Sequence, residues 1–187
     1  MKTSSLYGIR FGAAVVDQNV TQPDGTDAPT KMLRLGFAEG VINNLCISQQ
    51  QQIGALTYTV LLRANDNRSD TWEIRTKNTV LDVRSATGIL DMDGLVDINV
   101  NGQDVKTIQE NPDDPASAYV RNPLGSTADY FGIQARYAKL DQITSADVHD
   151  IQIPGIMTAP NLSVEVKPGT VTCPAPPAPT GTPGSAG

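Results

Sequence analysis

His149 is the single histidine of the chain and stands in Asp147-Val148-His149-Asp150. Any acid–base or triad chemistry that needs an imidazole must pass through it. No nucleophile motif adjoins it. Gly184-Ser185-Ala186-Gly187 lacks the G-x-S-x-G spacing that exposes a serine on a strand-to-helix elbow. His149 therefore reads as a solvated or packed strand histidine. The sequence has no G-x-x-x-x-G-K-[ST] or G-x-G-x-x-G run to cradle phosphates. One histidine and two distant cysteines do not make the usual zinc sites. Asp91-Met92-Asp93-Gly94 followed by Asp97 resembles a fragment of a calcium loop, so Asp91, Asp93 and Asp97 form a calcium candidate. The fragment lacks the third early ligand and the closing glutamate of an EF-hand, and a turn between strands accounts for Asp-x-Asp-Gly equally well. The expectation is a non-enzyme with no catalytic residue and no cofactor.

Cys46 and Cys173 are the two cysteines, 127 residues apart and outside any C-x-x-C. An even count, with one member in a strand-like segment and the other closing the domain, fits a disulfide that pins the C-terminal strand. Two unrelated buried thiols fit the count as well. A bridge implies an oxidising compartment.

The elements that must position these residues are strands. Sixteen Gly and thirteen Pro in 187 residues break helices too often for bundles or coiled coils. The acidic residues are mostly Asp, which favours turns. Leu56, Tyr58, Val60 and Leu62 alternate with Thr57, Thr59 and Arg63. Val96, Ile98 and Val100 alternate with Asp97, Asn99 and Asn101, and Leu162, Val164 and Val166 with Ser163, Glu165 and Lys167. Further segments run from Leu6 to Val16, Met32 to Leu35, Val41 to Ser48, Trp72 to Val83, Tyr130 to Leu140 and Val148 to Ile153. About eight to ten short strands read as an all-β, antiparallel-rich sandwich, roll or barrel. A β-solenoid-like stack is the alternative, although no fixed repeat period is present. Two long loops, Gln18 to Thr30 and Asn111 to Thr127, interrupt the strands.

Fourteen basic against twenty acidic residues leave a net charge of −6. Such a surface repels phosphate backbones and anionic bilayers, so no nucleic-acid partner is expected. Apolar runs fall far short of the roughly 20 residues of a membrane helix, and Met1 to Ser5 shows no signal-peptide apolar region. The domain spans residues 1–173. Residues 174–187 are a Pro/Gly/Ala-rich tail without charge or large apolar side chains. Pro174, Pro176, Pro177, Pro179 and Pro183 predispose it to an extended arm that loses little entropy on docking to a neighbouring subunit.

Several short motifs occur together in order: Tyr7-Gly8-Ile9-Arg10-Phe11-Gly12, Asn44-Leu45-Cys46-Ile47-Ser48, Leu56 to Leu62, Phe131-Gly132-Ile133-Gln134-Ala135, Ile153-Pro154-Gly155-Ile156, Leu162 to Val166 and Cys173. From Leu6 to Cys173 this series resembles a family of actinobacterial secreted β-domain proteins of unknown function. Members often accompany a small multi-span membrane protein, and some are labelled cholesterol esterase. The resemblance implies export to the envelope or outside the cell, and a Cys46–Cys173 bridge. It implies no mechanism, and the serine elbow an esterase needs is missing. Family members begin with a signal or anchoring segment and an extra early strand, neither of which this sequence shows.

The resulting expectation is an exported, non-catalytic structural subunit, a homo-oligomer forming rings or filaments with the tail docked on a neighbour. The alternative is a carrier of a lipid or other apolar ligand that works with a membrane protein.

Overall fold

The computed structural model describes residues 1–178 apart from 22–24, 67, 69, 112, 115, 121 and 128. Its strands are β1 (Thr3–Thr21), β2 (Asp27–Asn43), β3 (Leu45–Ile53), β4 (Leu56–Ala64), β5 (Ile74–Asp93), β6 (Asp97–Asn101), β7 (Phe131–Gln152), β8 (Met157–Thr158) and β9 (Leu162–Pro168), with a 3-10 turn at Gly102–Asp104. The fold is all-β. Every strand pairing is antiparallel, which overturns the solenoid alternative.

The strands are not uniformly short. β1, β2, β5 and β7 run 19, 17, 20 and 22 residues. Phe131 to Leu140 and Val148 to Gln152 belong to one strand, as do Met32 to Leu35 and Val41 to Asn43. Long strands read as short ones because they change their inward face part-way. Leu6 and Phe11 both point into the core at an odd spacing, as do Ile74 and Leu81. Between them lie Arg10 (φ 56°) and Asn78 (φ 52°), left-handed residues that reset the alternation without ending the strand. Conversely, Val41 to Ser48 is divided, because Asn44 (φ 54°) turns the chain from β2 into β3.

β1 pairs with β2 and β7, β2 with β5, and β5 with β7, so the four long strands close into a ring. Register stacks its interior in layers. Leu140, Leu6, Ile42 and Ile74 face one another across neighbouring strands, and Ile133, Ala13, Leu35 and Leu81 form a second layer. Between these layers the buried rings of Phe11 and Phe37 meet with centroids 5.3 Å apart. A Cβ on Gly8 would fall 1.8 Å from Phe37 Cδ1, so the missing side chain is what admits the ring.

The outer wall of the ring carries a glycine trough. Cβ atoms on Gly12, Gly36 and Gly132 would approach Val105 Cγ1, Thr107 Cγ2 and Val105 Cγ2 at 2.5, 2.8 and 2.8 Å. The segment after β6 lies in this trough, with Val105, Thr107, Gln109, Leu124 and Ser126 buried. Asn78 donates from Nδ2 to the Gln109 carbonyl (2.7 Å) and accepts its N–H (3.1 Å), while the Thr107 hydroxyl donates to the Arg10 carbonyl. The covering segment thus holds the two residues at which β1 and β5 change face. The described residues from Asn111 to Thr127 form no strand beyond an isolated bridge of Tyr119 to Gln109, as the composition predicts. In Gln18 to Thr30, residues 22–24 lie outside the described residues, and the flanks are strand: Gln18↔Thr30 through Thr21↔Asp27 are paired, and Val20 packs with Val16 and Met32. Pro29 is tolerated there because β5 pairs with β2 only from Leu33 onward, which leaves that stretch of β2 a sheet edge.

Gly8→Ala should lower stability by about 1–3 kcal/mol by driving Phe37 from its rotamer. A fall in the urea midpoint with an unchanged m-value checks this.

Candidate functional site

The second sheet has the order β3-β4-β9, and its two faces differ. On one face, Leu45 and Ala64 close the end of the ring against Leu6, Ile42 and Ile74, with Ile47 and Leu62 partly buried beside them. The same face then continues into solvent. Leu62 lies opposite Val164, and Val60 opposite Val166. Leu162, Val164 and Val166 are 50, 62 and 66% exposed. Alternation along each strand places all these aliphatic side chains on one side. Among the described residues this is a continuous apolar strip on an edge strand. Such an edge is one that folded proteins ordinarily shorten, charge or cover.

The opposite face is covered. Leu61 and Thr59 are buried beneath the segment after β9, where Gly169 C=O accepts the Thr59 hydroxyl (2.7 Å) and Val171 N–H donates back to it (3.0 Å). Cys46 and Cys173 form a disulfide with Cα atoms 5.9 Å apart, packed with Leu61 and Val171. The Lys2 ammonium donates to the Cys173 carbonyl (2.7 Å), and Lys2 forms a backbone bridge with Cys46. The C-terminal segment is therefore tied to both the N-terminal strand and β3.

The junction between the two sheets is polar. Glu73 Oε1 accepts the Asn44 N–H (2.9 Å), whereas Oε2 is buried without a hydrogen-bond partner among the described residues. Burial pushes the Glu73 carboxyl above the ordinary glutamate range, and the Asn44 N–H only partly offsets this. On the ring, Arg34 clasps Asp82 through Nε–Oδ1 and Nη2–Oδ2 contacts of 2.6 Å each. Gln18 donates to the same carboxylate (2.7 Å), and Arg34 Nη1 donates to the Leu124 carbonyl (3.1 Å). The Asp82 contact holds the guanidinium firmly protonated, and the cluster clamps the covering loop. Sequence reasoning did not find it. Its members come from separate strands and a loop, and only their register brings them together.

The residues singled out from sequence are scattered. His149 is exposed on β7, beside a bulge between Val148 and Asp150. Asp91, Met92 and Asp93 end β5, paired with β7, and Gly94 begins the turn to β6: Asp93 Oδ1 accepts the Gly94 N–H (2.7 Å), and Asp97 Oδ2 accepts Gln134 Nε2 (2.9 Å). Among the described residues no three His, Cys, Asp or Glu side chains gather as a metal site, so Asp91, Asp93 and Asp97 do not converge. In the tail, Pro174 and Pro177 are exposed and Pro176 half-buried. Pro179 and Pro183 lie outside the described residues. Among the described residues no helix is long and apolar enough to cross a membrane.

Residues 1–174 match a family described as "Family of unknown function (DUF6230)", in agreement with the resemblance read from the ordered motifs. No curated protein and no solved structure matches the chain.

Cys46→Ser should destabilise the fold by about 4–5 kcal/mol in the chain-entropy description of so long a loop, and the segment after β9 should release first. Urea titration and amide exchange read these two effects. Glu73 generates a pH prediction. Its pKa is higher folded than unfolded, so its cost is absent below the ordinary value, grows as pH rises through the raised value, and is fully present above it. Glu73→Gln should therefore gain in melting temperature relative to wild type between about pH 3 and pH 7.

Proposed function

The chain belongs to the DUF6230 family of unknown function, and since that membership carries no mechanism, we propose from the geometry that it is a non-catalytic, exported structural subunit that assembles with copies of itself. The observation that carries this reading is the uncovered aliphatic strip on β9, with Leu162, Val164 and Val166 half or more exposed. Burying such a strip against a like surface removes apolar area from water, at roughly 25 cal/mol per Å² before the costs of association. The disulfide supports placement in an oxidising compartment, the envelope or the extracellular space. The arm that begins at Pro174 is a second contact in this reading. Its root is fixed by Cys173, its described residues are mostly exposed, and an extended arm reaching a neighbour is a head-to-tail contact that builds rings or filaments.

The carrier alternative draws on the same strip. Side chains fill the interior of the ring, so an apolar ligand would have to sit on the outside.

Native mass spectrometry and negative-stain imaging separate these readings. Wild type is expected to form discrete higher-order species. The double variant Val164→Asp/Val166→Asp should keep its β-sheet circular dichroism and its disulfide mass but remain monomeric. Removing residues 174–187 should weaken association without unfolding the domain. A wild-type monomer carrying a co-purified lipid mass would overturn the assembly reading in favour of the carrier.

A further inference from the structure

The small sheet has two edges of different character. On its β3 side, Lys2 bridges Cys46 and the exposed run Gln49-Gln50-Gln51-Gln52 follows, polar and solvated. On its β9 side, among the described residues, the strand pairs with β4 alone. Gly169 N–H donates to the Thr57 carbonyl (2.7 Å), and the register continues through Lys167↔Thr59, Glu165↔Leu61 and Ser163↔Arg63. In an antiparallel ladder every second residue turns its N–H and C=O toward the same neighbour. The odd-numbered residues of β9 are therefore spent on β4. The even-numbered ones, Leu162, Val164, Val166 and Pro168, direct their backbone groups outward, and these are also the residues whose side chains form the exposed apolar strip. Pro168 has no N–H, and Gly169 (φ 78°) turns the chain away beyond it.

The charges on this strand then choose a partner and a register. Glu165 and Lys167 are its only charged residues, and they pair with each other at 2.8 Å. Two copies of β9 laid antiparallel about Glu165 would place like carboxylates opposite one another. Centred on Val166, the strands place Glu165 of each copy opposite Lys167 of the other, which turns the in-strand pair into an alternating four-charge cluster. In that register Val166 N–H and C=O bond to Val166 of the second copy. Val164 N–H meets the Pro168 carbonyl, so the missing Pro168 N–H costs only the bond to the Val164 carbonyl. We propose that β9 pairs antiparallel with β9 of a second copy about Val166, joining two small sheets into one continuous six-stranded sheet held by reciprocal Glu165–Lys167 pairs. This rests on the self-assembly reading and supplies its two-fold contact, to which the arms after Pro174 add the head-to-tail one.

Sedimentation of wild type, Glu165→Lys, Lys167→Glu and an equimolar mixture of the two variants tests the pairing. Each single variant sets like charges opposite one another, and its self-association should weaken by about tenfold or more. The mixture restores opposite charges at both positions and should recover heterodimers of near wild-type affinity. The double exchange Glu165→Lys/Lys167→Glu should recover self-association in one chain. Unchanged sheet content and an intact disulfide mass exclude misfolding as the cause of any loss. If wild type associates and both single variants associate as tightly, the β9 register is wrong while the assembly reading stands. If wild type is monomeric at every concentration, both fail.

Discussion

Ring closure by only four strands is the constraint on which the rest of the structure depends. Barrel diameter grows with strand number, and about eight strands are needed before side chains comfortably fill the interior. With four, two phenylalanine rings can enter only where the wall facing them has no side chain, as at Gly8 beside Phe37. The strands must also coil strongly to close. They do so by switching their inward face at the left-handed residues Arg10 and Asn78, each bonded to the covering segment: the Arg10 carbonyl accepts from Thr107, and the Asn78 side chain bonds Gln109. The glycine trough under Val105 and Thr107 follows from the same requirement, because the segment that pins the kinks must approach the wall closely. Interior, kinks and cover therefore form one interdependent unit.

The small sheet begins as the lid of this ring and ends as something else. Leu45 and Ala64 are core residues, yet the same face carries Val164 and Val166 out into solvent. The disulfide and the Thr59 contacts secure the opposite face, so the sheet stands firmly while its apolar side stays open. Covering only one side of a three-stranded sheet gives the fold no benefit that covering both would not improve. An unpaired edge beside an uncovered apolar face is a geometry suited to strand addition, in which main-chain hydrogen bonds supply affinity and side chains supply register.

The electrostatics fit this division of roles. The most buried ion pair among the described residues, Arg34–Asp82, is bonded to the covering loop through the Leu124 carbonyl and serves the ring. A chain with net charge −6 repels its own copies at long range, so a contact between copies must be locally neutral or complementary. β9 meets that condition with one acid and one base.

The sequence by itself determined the class of fold, because Gly, Pro and Asp density excludes long helices and the alternation from Leu162 to Val166 marks a strand with one apolar side. It also offered the Cys46–Cys173 pairing, through an even count and a closing position, and it marked Asn111 to Thr127 as irregular. Strand length was hidden. In β2, Phe37 and Ile42 both face the core at an odd spacing, so the period shifts between Met32 to Leu35 and Val41 to Ser48, and a broken period looks the same as two short strands. The pairing of Gln18–Thr21 with Asp27–Thr30 was hidden for a related reason: Pro29 and the Pro23-Asp24-Gly25 run signal turns in the sequence, and only cross-strand pairing shows that these flanks are extended. The candidate surface was half legible. Alternation showed that Leu162, Val164 and Val166 share a face, but alternation is the same whether that face is buried or bare. Only tertiary structure decided it, by setting Leu45 and Ala64 over the ring and leaving no described element over β9. Exposure depends on what the rest of the chain packs against, which no local pattern records.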